Sequence, residues 1–154
     1  MTNYFNKLIS ITMIFFISLS ISTLSFGQDK YSVSGEIIFH EEQGEFQVWL
    51  RIQDEVEIGL KSAPPPERIL LIKPTLDQLK AKKVTFKFVG IPAGNYCIYC
   101  LHDLNKNGEL DRVPSTGFPA EPYGYSGQLA FGKPMWEDVR FKVDKDVSGI
   151  KINL

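Results

Sequence analysis

From Tyr31 onward the chain is written in short runs whose apolar residues fall on alternate positions. A period of two puts those residues on one face of an extended strand and suits almost nothing else. Phe46, Val48, Leu50 and Ile52 form one such row, Val84, Phe86 and Phe88 a second, Val139, Phe141 and Val143 a third, and Ile150, Ile152 and Leu154 a fourth. Tyr31–Phe39, Arg68–Ile72 and Tyr96–His102 add β-branched and aromatic runs of strand length. Turn chemistry separates them. Gln43-Gly44 suits a hairpin between the first two strands, Ser62–Pro66 (SAPPP) breaks any regular element, and Gly90-Ile91-Pro92-Ala93-Gly94 reads as a turn. The stretch Thr75–Lys83 predicts one brief helix, capped by Thr75, with Leu76 and Leu79 turned inward. Seven or so short strands with turns between them imply an all-β chain folded as an antiparallel β-sandwich, with one long ordered loop from Asp103 to about Gly127.

The first 27 residues are of another kind. Lys7 is their one charge, and Leu8–Phe26 is apolar apart from interspersed Ser and Thr. Ser25-Phe26-Gly27 then places small residues three and one positions before a cut ahead of Gln28. Basic start, apolar core and small-residue site are the order of a secretory signal peptide, giving residues 1–27 as signal and 28–154 as a single domain. An uncleaved anchor is the rival, because ~20 apolar residues span a bilayer. The expected location is secreted, or periplasmic and in the cell envelope, with no membrane span after cleavage. The full chain has 17 Lys and Arg against 18 Asp and Glu, too even a balance to draw nucleic acid.

Cys97 and Cys100 are spaced as CxxC, but they fall in the strand-like run Tyr96-Cys97-Ile98-Tyr99-Cys100-Leu101. Residues three apart on a strand point to opposite faces, so a bridge between them demands a break in the strand. A redox CxxC opens a helix, and a zinc site wants two further ligands. Two buried free thiols are therefore expected.

Chemistry concentrates in the long loop. Asp103, Asn105, Asn107 and Asp111 stand at positions one, three, five and nine of Asp103-Leu104-Asn105-Lys106-Asn107-Gly108-Glu109-Leu110-Asp111, with Gly108 at position six. That is the opening of a calcium loop: alternate oxygens turn inward, Gly permits the bend, and Glu109 at position seven offers its carbonyl. Position twelve is Pro114 in place of a bidentate Glu, and a strand precedes the loop, so this is not an EF-hand. Glu121 is a candidate closing ligand. The alternative is an Asx-rich turn whose side chains hydrogen-bond their own backbone.

These residues carry a resemblance. Gly94-Asn95-Tyr96, His102-Asp103-Leu104-Asn105-Lys106-Asn107-Gly108-Glu109-Leu110-Asp111 and Gly117-Phe118-Pro119-Ala120-Glu121-Pro122-Tyr123-Gly124-Tyr125-Ser126 resemble the signature of the bacterial domain-of-unknown-function family 2141. Gly132-Lys133-Pro134-Met135-Trp136-Glu137-Asp138-Val139-Arg140-Phe141 is similar to a further family stretch, with Val139 where a small residue is usual. The resemblance is specific from about Val84 to Val143. It implies an exported protein with an immunoglobulin-like or transthyretin-like sandwich, and it implies no established activity. The Gly90–Tyr96 turn is also similar to that of the carboxypeptidase regulatory-like sandwiches, which are accessory modules.

Other side chains admit competing roles. His102 beside Asp103 suggests catalysis, but strand neighbours face opposite ways and no nucleophile elbow surrounds Ser126. His102 is expected instead to hydrogen-bond the long loop where it leaves the sheet. Tyr123, Tyr125 and Trp136 either stack on sugar rings or cover the core edge under the loop. Trp49 faces away from the Phe46 row, toward a second packed face or an exposed patch. Asp54-Glu55-Val56-Glu57 reads as a solvated strand edge or turn. Three functions are open: a non-enzymatic exported binding or structural module with calcium in the 103–111 loop; a carbohydrate-binding module using Tyr123, Tyr125 and Trp136; and, least favoured, a metal-dependent hydrolase at His102 and Asp103. A cell-surface glycan or an envelope protein is the expected kind of partner.

Overall fold

The computed structural model describes residues 29–58, 63–127 and 135–154. The signal segment at 1–27 lies outside them, as does the 132–134 part of the Gly132–Phe141 stretch. The alternating rows become strands in the order β1 (Lys30–Ile38), β2 (Glu45–Arg51), β3 (Ile69–Ile72), β4 (Lys83–Pro92), β5 (Gly94–Asp103), β6 (Tyr123–Tyr125), β7 (Phe141–Val143) and β8 (Val147–Asn153). Short helices interrupt them: α1 (Gln53–Ile58) after β2, α2 (Leu76–Ala81) after β3, and α3 (Trp136–Val139) before β7.

The chain is mostly β and forms two sheets, one ordered β4-β1-β8 and the other β3-β2-β5-β6, with β7 pairing the start of β5. Val33, Ile37, Val84, Phe86, Phe88 and Ile152 from the first sheet meet Phe46, Val48, Leu50, Ile98 and Cys100 from the second in one core. Removing such a side chain from water is worth roughly 1.5–3 kcal/mol, so the alternating rows decide which faces turn together.

Several expectations need correction. The pairing is not wholly antiparallel: β1 and β8 run parallel, Glu36 opposite Lys151 and Ile37 opposite Ile152. Gln43-Gly44 does not close a hairpin, because β1 and β2 belong to different sheets. Gly44 instead turns a corner between them at φ 108°, and a Cβ there would stand 2.9 Å from His102 Nε2 and 2.8 Å from the Asp103 carbonyl oxygen. The row from Phe46 ends early: the strand stops at Arg51, and Ile52 is exposed. Val139 lies in α3 and not in the strand with Phe141 and Val143. The acidic stretch 54–57 is helical, and Glu55 is buried. The period-two pattern misled at Val139 because a four-residue helix shows barely more than one turn of its own periodicity.

The expected short helix is present. Thr75 Oγ1 accepts the Gln78 N–H at 3.2 Å while Gln78 Oε1 accepts the Thr75 N–H at 2.8 Å, a reciprocal cap. Leu79 joins the edge of the core, but Leu76 is exposed. Cys97 and Cys100 are free, buried and on opposite faces of β5, as expected. Cys100 belongs to the core between the sheets, and Cys97 belongs to a second cluster on the outer face.

Candidate functional site

The long loop leaves the sheet at Asp103, the last residue of β5. Its backbone doubles back at once, with Lys106 at φ 65° and Gly108 at φ 87°, and the Asp103 carboxylate fills the concavity. Asp103 Oδ1 accepts the N–H groups of Lys106 (2.6 Å) and Asn107 (3.1 Å), and Oδ2 accepts that of Gly108 (2.8 Å). Hydrogen bonds to an ionised acceptor are roughly twice as strong as neutral ones, so this one side chain fixes the turn. Asn105 Oδ1 accepts the Asn107 N–H at 2.9 Å, and Asn107 Oδ1 accepts the Glu109 N–H at 2.8 Å, so each side chain closes a local turn.

The same two amides converge on Asp111. Asn105 Nδ2 lies 2.5 Å from Asp111 Oδ2, and Asn107 Nδ2 lies 3.0 Å from Oδ1. Glu109 contributes its N–H to the turn, and its side chain is exposed. Glu121 is buried, and its two oxygens span the loop: Oε1 accepts the Leu104 N–H at 2.8 Å and Oε2 the Asp111 N–H at 3.1 Å. It thereby ties the two ends of the 103–111 loop together through backbone bonds.

Beyond Asp111 the chain forms a tight finger. Arg112 and Pro119 pair across it, the Val113 N–H donates to the Phe118 carbonyl at 2.8 Å, and Arg112 Nη1 reaches the Gly117 carbonyl at 2.9 Å. Phe118 at its tip is 69% exposed.

His102 reaches the loop through its backbone N–H, which donates to the Pro122 carbonyl at 2.9 Å, and not through its side chain as expected. Its ring is fully buried, stacked on Phe46 at 4.2 Å between centroids and edge-on to Phe39 at 5.3 Å. Neither ring nitrogen completes a hydrogen bond of ordinary geometry. Burial pushes its pKa below the usual histidine value, and the Gln43 backbone, Glu41, Glu121 and Asp103 pull the other way without prevailing. Asp103 spends its carboxylate on the backbone N–H groups of Lys106, Asn107 and Gly108.

Tyr123, Tyr125 and Trp136 gather on the outer face of the β3-β2-β5-β6 sheet. Tyr125 is buried, and its ring lies 5.2 Å from Tyr99 and 6.4 Å from Tyr123. Trp49 and Tyr99 sit opposite each other on β2 and β5, with rings 5.6 Å apart, and α1, α3 and Leu110 of the long loop contribute Val56, Val139 and Leu110 to the same cluster. Burial pushes the Tyr125 hydroxyl up to about 12 and the Cys97 thiol up to about 12. Trp49 thus belongs to a second packed face.

Sequence reasoning missed the polar group beside that cluster. Arg51, on the same strand face as Trp49, is fully buried and donates from Nη2 to the Glu55 carbonyl. The Glu55 carboxylate takes a two-pronged contact from Arg68, at 2.6 and 3.1 Å, and also accepts the Ile52 N–H at 3.0 Å. The signal was present: Arg51 alternates in phase with Trp49, so an inward-facing outer row was legible once that face was known to be covered.

Among the described residues, no three His, Cys, Asp or Glu side chains converge where a metal ion could sit. The 103–111 loop reaches a chelating set only through its asparagines. The fold, then, is a two-sheet β domain whose most elaborately ordered feature is a carboxylate-tied loop. The chain belongs to the family described as uncharacterized proteins conserved in bacteria (DUF2141), whose model matches residues 39–151. No curated protein and no solved structure matches it.

Proposed function

We propose that this is a non-catalytic, exported binding or structural module, built as an immunoglobulin-like or transthyretin-like sandwich, whose 103–111 loop is stabilised by calcium. The observation that carries the calcium reading is the meeting of Asn105 and Asn107 at the Asp111 carboxylate, at 2.5 and 3.0 Å. Three side chains at loop positions three, five and nine reach one point, and the turn that brings them there is shaped by Asp103 at position one. All are hard oxygen carriers of the kind calcium takes.

The fit lies in donor type and placement. Both amides now direct nitrogen at Asp111, so holding an ion requires each to turn its oxygen inward, an exchange that keeps the side-chain outline and gives up the bonds to the Asn107 and Glu109 N–H groups in return for the ion. Glu121 supports the loop from outside by bonding Leu104 and Asp111 N–H groups. With few carboxylates directed at the site, affinity belongs in the weak range of extracellular modules, ~10⁻⁴–10⁻³ M. Burial of His102 among phenylalanines supports the non-catalytic reading.

Thermal unfolding with and without calcium tests this. At ten times Kd the expected gain is about 1.4 kcal/mol, enough to raise Tm by about 4 °C. Asp111→Ala should abolish the shift. An unchanged Tm in 10 mM calcium would overturn the calcium reading, while hydrolytic activity lost in His102→Ala would overturn the non-catalytic one.

A further inference from the structure

The opposite face of the molecule carries a groove that the loop does not explain. On the outer side of the β4-β1-β8 sheet, a cavity of about 470 Å³ is lined by Ser34, Glu36, Thr85, Lys87, Gly149 and Lys151. A bulge sets it apart from a flat strand surface. Between the Val33–Val147 and Gly35–Ile150 pairs, β1 advances two residues and β8 three. Gly149 sits in that extra step at φ 78°, and no atom lies within 4 Å of where its Cβ would be. A bulge lifts the strand and re-aims its side chains. Here Ser34 Oγ donates to the Val147 carbonyl at 3.5 Å, and the space beside Gly149 stays open.

The lining alternates in chemistry. Ser34 pairs with Lys87 and Glu36 with Thr85 across β1 and β4, and Glu36 pairs with Lys151 across β1 and β8. All point away from the core, as the buried Val84, Phe86, Phe88 and Ile37 between them require. Glu36 lies 3.4 Å from Lys151 and 3.6 Å from Lys83. Lys87 makes no ion pair among the described residues, although Asp146, held by the Ser32 N–H at 2.8 Å, is within its electrostatic reach. Three ammonium groups therefore flank one central carboxylate and two hydroxyls.

We propose that this groove binds an acidic saccharide. Carboxylates on the sugar would pair with Lys87 and Lys151. Glu36, Ser34 and Thr85 would meet the sugar hydroxyls, because a carboxylate only accepts hydrogen bonds and hydroxyls both accept and donate. A polyphosphate is a poorer occupant: it offers few donors to Glu36 and is repelled by it. The volume falls in the range of small-molecule sites. This site is separate from the calcium reading and does not depend on it.

Affinity electrophoresis of the purified protein through polygalacturonate, dextran and polyphosphate gels decides the matter. Retardation is expected in polygalacturonate alone, weakening sharply in 0.5 M salt, where exposed charges are screened. Lys87→Glu with Lys151→Glu should lower affinity at least tenfold, whereas Lys142→Glu, outside the groove, should leave it unchanged. Glu36→Ala gives the sharpest sign test. It makes the face more positive, so simple charge attraction predicts tighter binding, while the saccharide site predicts weaker binding. Tighter binding, equal retardation by polyphosphate, or no retardation in polygalacturonate overturns the proposal. Circular dichroism and melting of each variant exclude loss of fold as the cause.

Discussion

His102 shows how a buried ionisable group sets a pH limit. Stacked on Phe46 and edge-on to Phe39, it is held in its neutral form, with burial pushing its pKa below the usual histidine value of 6.5. The unfolded chain binds the proton more readily than the folded one, so stability is complete above the unfolded pKa and declines as pH falls below about 6.5 toward the lower folded value. The wild-type protein should melt at a lower temperature at pH 5 than at pH 7.5. His102→Leu should reduce that difference measurably, and an equal difference in both proteins would show that carboxylates alone produce it. A second group carries stability by pairing. Glu55 and Arg68 are each about 12% exposed at the side chain and meet through two contacts, so Arg68→Ala strands a largely buried carboxylate. A loss of about 2–3 kcal/mol in urea unfolding is expected, toward the lower end for a buried pair because some solvent remains.

Among the elements, the loop between β5 and β6 was the most legible in sequence, and the reason is chemical. Asp and Asn at alternate positions around a Gly declare a tight turn whatever it binds, and Asp103 and Gly108 occupy the places that spacing assigns them. Less legible was Glu121, which reads as a candidate ion ligand yet is buried, with both oxygens on backbone N–H groups. Its partners lie 17 and 10 residues back in the chain, and no local pattern announces a contact of that reach. Glu121→Ala removes two charge-assisted bonds and should cost roughly 2–3 kcal/mol. Hydrogen exchange should accelerate at Leu104 and Asp111 more than in β2 or β5. Uniform acceleration across the sheet would mean that the loop and sheet unfold together. Helices α1 and α3 stayed hidden for the opposite reason: each is too short to write its own period, and Glu55 and Val139 are buried by the outer-face cluster they cover.

For the whole molecule the decisive contact is between the chain's first and last strands. Alternation in Ile150, Ile152 and Leu154 marks β8 as a strand, but no local turn can pair it parallel with β1, so its partner was not readable from sequence. Because everything from β2 to β7 lies between them in the chain, this pair closes the longest loop among the described strands and ties the β4-β1-β8 sheet to completion of the rest. Gly35 is what permits it. A Cβ at that position would stand 2.1 Å from the Ile150 carbonyl oxygen and 2.7 Å from the tip of the Phe86 ring, and the nearer atom is backbone that no rotamer change can move. Gly35→Ala must therefore push β8 away from β1 or twist the sheet, losing parallel bonds and opening the core beside Ile37 and Ile152. The expected cost is about 3 kcal/mol or more, in the range of severe core overpacking. Since the clash lies at the junction of the first and last strands, urea melts followed by tryptophan fluorescence, which reports Trp49 and Trp136 on the other sheet, should shift together with far-ultraviolet dichroism. Separate transitions, with the tryptophan face surviving after β8 is released, would show that the two sheets are stable independently and that the β1–β8 pair does not govern the fold.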